Sequence, residues 1–230
     1  MRLLIGTLVL LCALAPQAYA VAPTTEYTGS LSSTDGGIIA LGDWGTLCDV
    51  DLSWNVSRGD TGPWHYVYTW ALTAPDEMVQ GGCGEISHFI VEVSDTFTRE
   101  DVVGTPTGNY VSYYVDDWYS GPGNPDMPGD MHGLKFDDTW GLTASFDFYT
   151  YRSPVWGDFY AKDGKADGDQ FNVAWNAGFN DPDPDDEPDD GSIGWHILVP
   201  DTSEVPEPSA FAALALGLLP LAGLRRRRDS

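Results

Sequence analysis

The sequence predicts an all-β fold, a single antiparallel β-sandwich of jelly-roll type. Apolar and polar residues alternate over short stretches, which is the period of a half-buried strand. The 230 residues include 9 Trp, 11 Tyr and 9 Phe, which favour strands, and 26 Gly and 16 Pro, which favour the turns between them. A sustained period of 3.6 residues is absent outside the two ends of the chain. These three observations favour many short strands over a helical domain.

Nine segments carry the strand pattern. The clearest begins at Cys48, where Val50, Leu52 and Trp54 fall on one face and polar residues fall on the other. The predicted strands are 48–56, 64–72, 86–93, 110–115, 133–136, 142–151, 156–161, 171–175 and 193–199. Strands of this length, separated by turn residues, are typical of sandwiches and jelly rolls.

The N-terminal segment has the three parts of a secretory signal peptide. Arg2 is followed by the apolar run 3–14 and then by Ala18-Tyr19-Ala20, a small-x-small cleavage site. We therefore expect residues 1–20 to be removed, with Ala18 and Ala20 read by the peptidase. Cys12 would suit a lipoprotein only with a small residue before it, and Leu11 stands there, so Cys12 is assigned to the discarded peptide.

The C-terminal segment also has three parts. A proline-containing stretch precedes the apolar stretch 210–224, and a run of arginines follows it. The prolines keep the first part extended. About 15 apolar residues are marginal for a bilayer core of ~30 Å, and arginines stay on the cytoplasmic side. The residues of this motif are Val205, Pro206, Glu207, Pro208, Arg225, Arg226, Arg227 and Arg228.

This tail resembles the PEP-CTERM sorting signal. The resemblance implies processing by an exosortase near Pro206-Glu207-Pro208, after transient residence in the inner membrane. Delivery to the cell surface or the extracellular matrix would follow, in a setting of exopolysaccharide and biofilm production. The alternative is an ordinary C-terminal anchor helix, which requires neither the Pro-Glu-Pro sequence nor so short an apolar stretch.

The segment between the ends, 21–204, is predicted to be one domain, and parts of it also resemble other proteins. The stretches 86–94, 124–129, 133–137 and 154–165 are similar to a group of PEP-CTERM-associated proteins to which no activity is attached. The resemblance implies a shared domain, but it indicates no catalytic or binding activity.

The region between the ends is strongly acidic. Five of the 11 basic residues and two of the 35 acidic ones lie in the terminal segments, which leaves a charge of about −27 between them. Such a charge repels nucleic acid and anionic lipid, and it suits either a solvated surface or divalent-cation binding. Its densest part is the run 181–190, in which prolines separate the acidic residues, and it is predicted to be a flexible surface loop.

Two cysteines remain after signal cleavage, Cys48 and Cys83. In an oxidising compartment, two cysteines with no others nearby usually form a disulfide, which here would close a loop of about 35 residues. A metal site with two cysteines is the alternative, but no Cys/His spacing supports it.

A catalytic constellation is not apparent, and no catalytic residue is assigned. The four histidines, His65, His88, His132 and His196, have no metal-ligand or protease spacing, and His88 is interpreted as a core residue. The segment around Asp163, Asp167 and Asp169 resembles a Ca²⁺ loop with oxygen donors at alternate positions. Lys165 occupies one donor position and no closing glutamate follows, so a Gly-rich β-turn is the alternative.

The tryptophans suggest a carbohydrate-binding surface, because an aromatic ring can cover a sugar face. Trp118 and Tyr119, in a Gly/Pro-rich region, are the candidates; the alternative is that most tryptophans belong to the core.

The leading hypothesis is therefore a non-catalytic, exported surface or matrix protein associated with exopolysaccharide. Its expected partners are the exosortase, the inner membrane and exopolysaccharide, and not nucleic acid; the oligomeric state is left open. A carbohydrate-binding module, with Ca²⁺ as a possible cofactor, and a glycoside hydrolase or lyase are the alternatives.

Overall fold

The computed structural model describes residues 25–74, 82–165 and 171–200, and these residues form thirteen strands. A single helical turn, α1 (Asp43–Thr46), and a 3₁₀ turn at Arg99–Asp101 are the helical pieces in these ranges. Within them, no helix has the length and apolar character needed to cross a membrane. The strands are β1 (Thr25–Ser32), β2 (Ile38–Leu41), β3 (Asp49–Arg58), β4 (Trp64–Thr73), β5 (Ile86–Glu92), β6 (Val102–Gly108), β7 (Ser112–Trp118), β8 (Met131–Asp137), β9 (Thr143–Thr150), β10 (Pro154–Gly157), β11 (Phe159–Lys165), β12 (Phe171–Asn176) and β13 (Ile197–Pro200).

The strands form two large sheets and one short ribbon. The five-stranded sheet has the order β1-β3-β4-β9-β6, and the six-stranded sheet has the order β2-β12-β11-β5-β8-β7. The ribbon consists of β10 and β13. Every strand pair in the described residues is antiparallel. The all-β, antiparallel part of the prediction is therefore confirmed.

Aromatic rings join the two large sheets. Phe89 of the six-stranded sheet stacks on Phe146 of the five-stranded sheet with 4.7 Å between ring centroids, and it lies 5.7 Å from the ring of Tyr68. Phe136 lies 5.1 Å from Phe146 in the same interface. All four side chains are fully buried. Burying rings of this size is the main contribution to stability in such an interface, and the packing is consistent with a β-sandwich.

The six-stranded sheet is also covered on its other face. Ile90, Tyr160 and Val173 point away from the first core and pack in a second one. Met127, Met131 and Phe179, which lie outside or at the ends of the strands, complete this second core. Burial on both faces explains why Phe89, Ile90 and Val91 follow one another without a polar residue between them.

Two predicted strands are wrong in their extent. The segment 156–161 belongs to two strands, because β10 ends at Gly157 and β11 begins at Phe159. Asp158 separates them, and β10 pairs with β13 whereas β11 pairs with β5 and β12. The predicted strand 193–199 likewise begins only at Ile197.

Three strands were not predicted from the sequence: β1, β2 and β6. β1 is an edge strand whose side chains are mostly exposed or half-buried, so it has no regular apolar face. β6 contains Gly104, Pro106 and Gly108 and has a register irregularity between Val103 and Thr107. Edge strands tolerate proline and bulges, which removes the signal that sequence reasoning uses.

The predicted disulfide between Cys48 and Cys83 is present. Cys48 directly precedes β3 of the five-stranded sheet, and Cys83 lies shortly before β5 of the six-stranded sheet. The bond therefore links the two sheets covalently, and it excludes a metal site built on the two thiolates. Trp44 packs beside it and donates its indole N–H to the Cys83 carbonyl oxygen at 2.7 Å.

Candidate functional site

Three distant parts of the chain meet at a cluster of two aspartates and a histidine. Asp158 lies between β10 and β11, Asp183 lies in the acidic loop of residues 181–190, and His196 directly precedes β13. One potential ligand atom from each side chain lies within 4.8 Å of the other two. We call these three residues the aspartate–histidine cluster.

Asp158 is held in place from two sides. Its carboxylate accepts a hydrogen bond from the side-chain amide of Asn176 at 2.6 Å, and the amide oxygen of Asn176 accepts the Phe159 N–H at 2.9 Å. The Asp158 N–H donates to the Glu92 carboxylate, and the Glu92 N–H donates to the Asp158 carbonyl oxygen, both at 2.9 Å. These bonds fix a buried carboxylate at the point where the strand is interrupted.

His196 is oriented by the tight turn before β13. Its Nδ1 lies 3.2 Å from the Ile193 carbonyl oxygen, which can only accept, so Nδ1 carries the hydrogen. Gly194 and Trp195 both have positive φ, 57° and 65°, and this backbone turns the ring inward. The ring packs against Gly178, where an added Cβ would lie 2.8 Å from the His196 Cε1.

The other ring nitrogen of His196 faces the two carboxylates. Nε2 lies 3.6 Å from an oxygen of Asp183 and 3.7 Å from one of Asp158. It has no hydrogen-bond partner among the described residues, although the side chain is only 1% exposed. A buried polar atom without a partner costs about 1–3 kcal/mol, so this nitrogen requires an explanation.

Negative charge is crowded around this nitrogen. Burial, together with the carboxylates of Asp183 and Asp158, raises the pKa of Glu92 to about 8. Burial raises the pKa of Asp158 to about 6, although the Asn176 hydrogen bond and His196 oppose the shift, and burial also raises the pKa of Asp183. The cluster thus offers two carboxylate oxygens and one imidazole nitrogen, which suit either a cation or a protonated histidine.

The predicted Ca²⁺ loop stays a prediction. Asp163 lies in β11, where its carboxylate accepts a hydrogen bond from the Asn172 side chain at 3.3 Å. Asp167 and Asp169 lie outside the described residues.

The two predicted sugar-binding residues have different environments. The Trp118 ring is half-buried, donates its N–H to the Gly133 carbonyl oxygen at 2.9 Å, and lies 5.0 Å from the Lys135 ammonium. Tyr119 is 58% exposed, and its hydroxyl lies 3.4 Å from the Asp117 carboxylate. Of the two rings, Tyr119 is the more accessible to a ligand.

Most of the remaining tryptophans belong to the core. Trp140 and Trp195 are exposed, at 46% and 44%. The buried ones are Trp44, Trp54, Trp64, Trp70 and Trp156. Alternation within the strands places four of these rings inward and Trp44 is buried from the α1 turn, as the core interpretation of the tryptophans expects.

His88 lies in the wall of the second core. It is 4% exposed and its ring is 5.9 Å from that of Tyr160. Burial, with the positive charges of Lys135 and Lys162, lowers its pKa well below the usual range. His88 is therefore neutral at physiological pH, as befits a core residue.

Sequence reasoning did not find the aspartate–histidine cluster. Its members are far apart in the chain, so no local spacing connects them, and the acidic loop was interpreted as flexible. Two aspartates of that loop in fact have defined positions: Asp183 in the cluster and Asp190, which accepts the Thr28 N–H at 2.8 Å. The one available signal was the break at Asp158 inside an otherwise regular strand pattern.

The signal-cleavage residues and the sorting motif lie outside the described residues. Comparisons with family models, with curated proteins and with solved structures returned no match. The function must therefore be argued from the sequence and the geometry.

Proposed function

We propose that the chain is an exported, non-catalytic protein of the cell surface or extracellular matrix. In this proposal the signal peptide directs export and an exosortase processes the PEP-CTERM tail after a transient stay in the inner membrane. The β-sandwich then works within the exopolysaccharide layer of a biofilm. Its jelly-roll character belongs to the proposal, and it is supported by the connections that pass from one large sheet to the other, as between β4 and β5, β5 and β6, and β6 and β7.

The disulfide between Cys48 and Cys83 is the observation that carries this proposal. Structural disulfides persist in oxidising compartments and are rare in the cytosol. This one joins the two halves of the sandwich, so it is part of the folded architecture. The large negative charge of the region between the terminal segments is a second support, because it keeps a protein soluble outside the cell.

The sorting step is tested by changing Pro206, Glu207 and Pro208 to alanine while leaving the apolar stretch and the arginines intact. The wild type is expected to appear at the surface with a mass that lacks both termini. The variant is expected to stay in the inner membrane with its arginines attached. A matched control changes Pro182 and Pro184 of the acidic loop to alanine and should be processed normally. Recovery of wild-type protein at the surface with Arg225 to Arg228 still attached would contradict the proposal.

A carbohydrate-binding module is the second candidate, and the exposure of Tyr119 favours it. Its ring stands beside the carboxylate of Asp117, so a stacking surface and a hydrogen-bond acceptor are adjacent. Stacking of this kind contributes about 1 kcal/mol, so Tyr119→Ala should weaken binding to the host's exopolysaccharide about fivefold. Tyr151, which is 68% exposed, provides the control variant Tyr151→Ala. A pull-down with and without EDTA tests whether Ca²⁺ takes part, and no retention under either condition would remove this candidate.

The glycoside hydrolase or lyase alternative is supported less well. It requires two carboxylates about 5–10 Å apart that face an open groove. The carboxylates of Asp158 and Asp183 lie close together, with one oxygen of each within 4.8 Å of the other, but Asp158 is only 7% exposed. Asp158 therefore does not line an open groove of the kind that such an enzyme requires.

A further inference from the structure

We propose that Asp158, Asp183 and His196 form a binding site for one divalent transition-metal cation, for which Zn²⁺ has the best-matched chemistry. The proposal concerns the folded domain and does not depend on how the chain is sorted. It rests on the separation of the ligand atoms, on the state of the histidine nitrogen and on the kinds of donor present.

The ligand atoms are separated by the distance that a shared ion requires. Imidazole nitrogens and carboxylate oxygens bind Zn²⁺ at about 2.0–2.2 Å, so two ligands of a tetrahedral ion lie about 3.4 Å apart. The His196 nitrogen is 3.6 Å from Asp183 and 3.7 Å from Asp158. The two aspartate oxygens lie within 4.8 Å of each other, so all three atoms can reach one ion once the side chains move closer together.

A direct ion pair fits these distances less well. A protonated imidazole and a carboxylate approach to about 2.7–2.9 Å when they form a charge-assisted hydrogen bond. Two other imidazole–carboxylate contacts in the protein are this short: His132 is 2.7 Å from Asp117, and His65 is 2.9 Å from Asp147. His196 has two carboxylates available and makes a hydrogen bond to neither.

The histidine ring has the orientation that a metal ligand needs. The hydrogen on Nδ1 is directed to the Ile193 carbonyl, so the Nδ1–H tautomer presents the lone pair of Nε2 to the carboxylates. Histidines that bind metals typically donate their other N–H to a carbonyl or a carboxylate in this way. Nε2 is buried and without a hydrogen-bond partner in the part of the chain that the structure describes. A cation between the three side chains would satisfy it.

The donor set selects the class of metal. Ca²⁺ prefers six to eight oxygen ligands, whereas imidazole suits zinc and its neighbours among the transition metals. Two carboxylates and one imidazole fill three positions of a tetrahedral zinc site and leave the fourth for water. Glu92 is a positioning residue here, because its carboxylate accepts the Asp158 N–H.

The site would fasten the acidic loop to the sandwich. Asp183 comes from the loop, Asp158 from the break between β10 and β11, and His196 from the turn into β13. One ion would join these three segments and offset the negative charges that crowd there. This role explains why a loop so rich in prolines and aspartates carries a side chain to a buried histidine.

The experiment uses the exported protein purified from its host, stripped of metal with EDTA and then freed of chelator. Titrations with Zn²⁺, Mn²⁺ and Ca²⁺ are measured separately by calorimetry, and Co²⁺ serves as a spectroscopic substitute for zinc. The test variant is Asp183→Asn, and the control is Asp185→Asn, which makes the same change of charge at an exposed position in the same loop. Asp183 is also on the exposed loop, with 38% of its side chain accessible, so the variant should fold.

The wild type and Asp185→Asn are expected to bind one Zn²⁺ per chain, more tightly than Ca²⁺, and to give the visible absorption of tetrahedral Co²⁺. Asp183→Asn should bind Zn²⁺ at least tenfold more weakly and lose the Co²⁺ absorption. A second variant, His196→Gln, should lose the preference for Zn²⁺ over Ca²⁺. Equal zinc affinity in Asp183→Asn and Asp185→Asn would overturn the proposal, because binding would then reflect diffuse surface charge. Binding of Ca²⁺ as tightly as Zn²⁺, or of no metal at all, would overturn it as well.

Discussion

Removal of the disulfide should destabilise the domain by an amount that follows from its loop length. The bond closes a loop of 35 residues, for which the chain-entropy relation gives about 3.8 kcal/mol at 25 °C. In a domain of this size, 1 kcal/mol corresponds to roughly 2–4 °C in Tm. The double variant Cys48→Ala/Cys83→Ala should therefore unfold about 8–15 °C below the oxidised wild type.

The assay is thermal unfolding followed by tryptophan fluorescence, with and without a reductant. Reductant should lower the Tm of the wild type towards that of the double variant and leave the variant unchanged. Urea titration of the same samples gives the free energy of unfolding directly. A Tm difference below about 2 °C would show that the two sheets are held together without help from the bond, and the reasoning from loop closure would be wrong.

Three further predictions concern single side chains. Phe89→Ala should lower the free energy of unfolding by about 3–5 kcal/mol in a urea titration, because it removes the ring that joins the two sheets; a loss under 1 kcal/mol would contradict this. Gly178→Ala should cost about 1–3 kcal/mol by the same measurement, because its Cβ would overlap the Gly194 carbonyl oxygen and press on the His196 ring; the control Gly129→Ala, whose Cβ would meet its nearest neighbour at 3.4 Å, should be near neutral. Burial would lower the pKa of His132, but hydrogen bonds to Asp117 and to a backbone carbonyl outweigh it and raise the pKa, so its NMR titration should lie above 6.5 and should fall in Asp117→Asn. Because the pKa of His132 is higher in the folded state than in the unfolded state, the pair with Asp117 stabilises the fold fully below pH 6.5, and this stabilisation is lost as the pH rises through the folded-state pKa. The stabilisation is less than about 1 kcal/mol, because the Asp117 side chain is 60% exposed. An unchanged titration of His132 in Asp117→Asn would refute the assignment.

The strands with one buried face were predictable because their alternation is a local property. In β3 and β4, buried side chains alternate with more exposed ones along almost the whole length of each strand. The predicted ends of both strands lie within two residues of the observed ends. The disulfide was predictable for a different reason: only two of the three cysteines lie outside the terminal segments, so no alternative pairing exists between them.

The second core could not be predicted from the same pattern. Ile90 and Phe89 are equally apolar, and nothing in their neighbourhood says that one faces the five-stranded sheet and the other faces Met127 and Phe179. Which loop covers a sheet is decided by long-range topology. The edge strand β1 shows the opposite case, in which a strand is fixed by its partner β3 although its own sequence has little apolar character.

The aspartate–histidine cluster depends on contacts between segments that are distant in sequence. Asp158 owes its position to Asn176, and His196 owes its position to the turn at Gly194 and Trp195. Each residue is unremarkable within its own segment. Asp158 and His196 come together because β10 pairs with β13. Both strands have four residues, and the sequence had predicted them as parts of the longer strands 156–161 and 193–199.

The short ribbon determines how the domain responds to mechanical load at its C-terminal end. β13 ends at Pro200, opposite Pro154; among the described strands its backbone pairs with β10, over four residue pairs, and its Leu198 carbonyl oxygen also accepts the Tyr68 hydroxyl at 2.8 Å. A force applied at Pro200 would load these four residue pairs one after another, beginning with Pro200 and Pro154. The pairs would then separate in sequence and not all at once. Peeling would stop at His196, where the chain turns back into the interior. Because Ile197, Leu198 and Val199 are fully buried in the main core, opening the ribbon also exposes part of that core, and a tether at this end would load the sandwich itself.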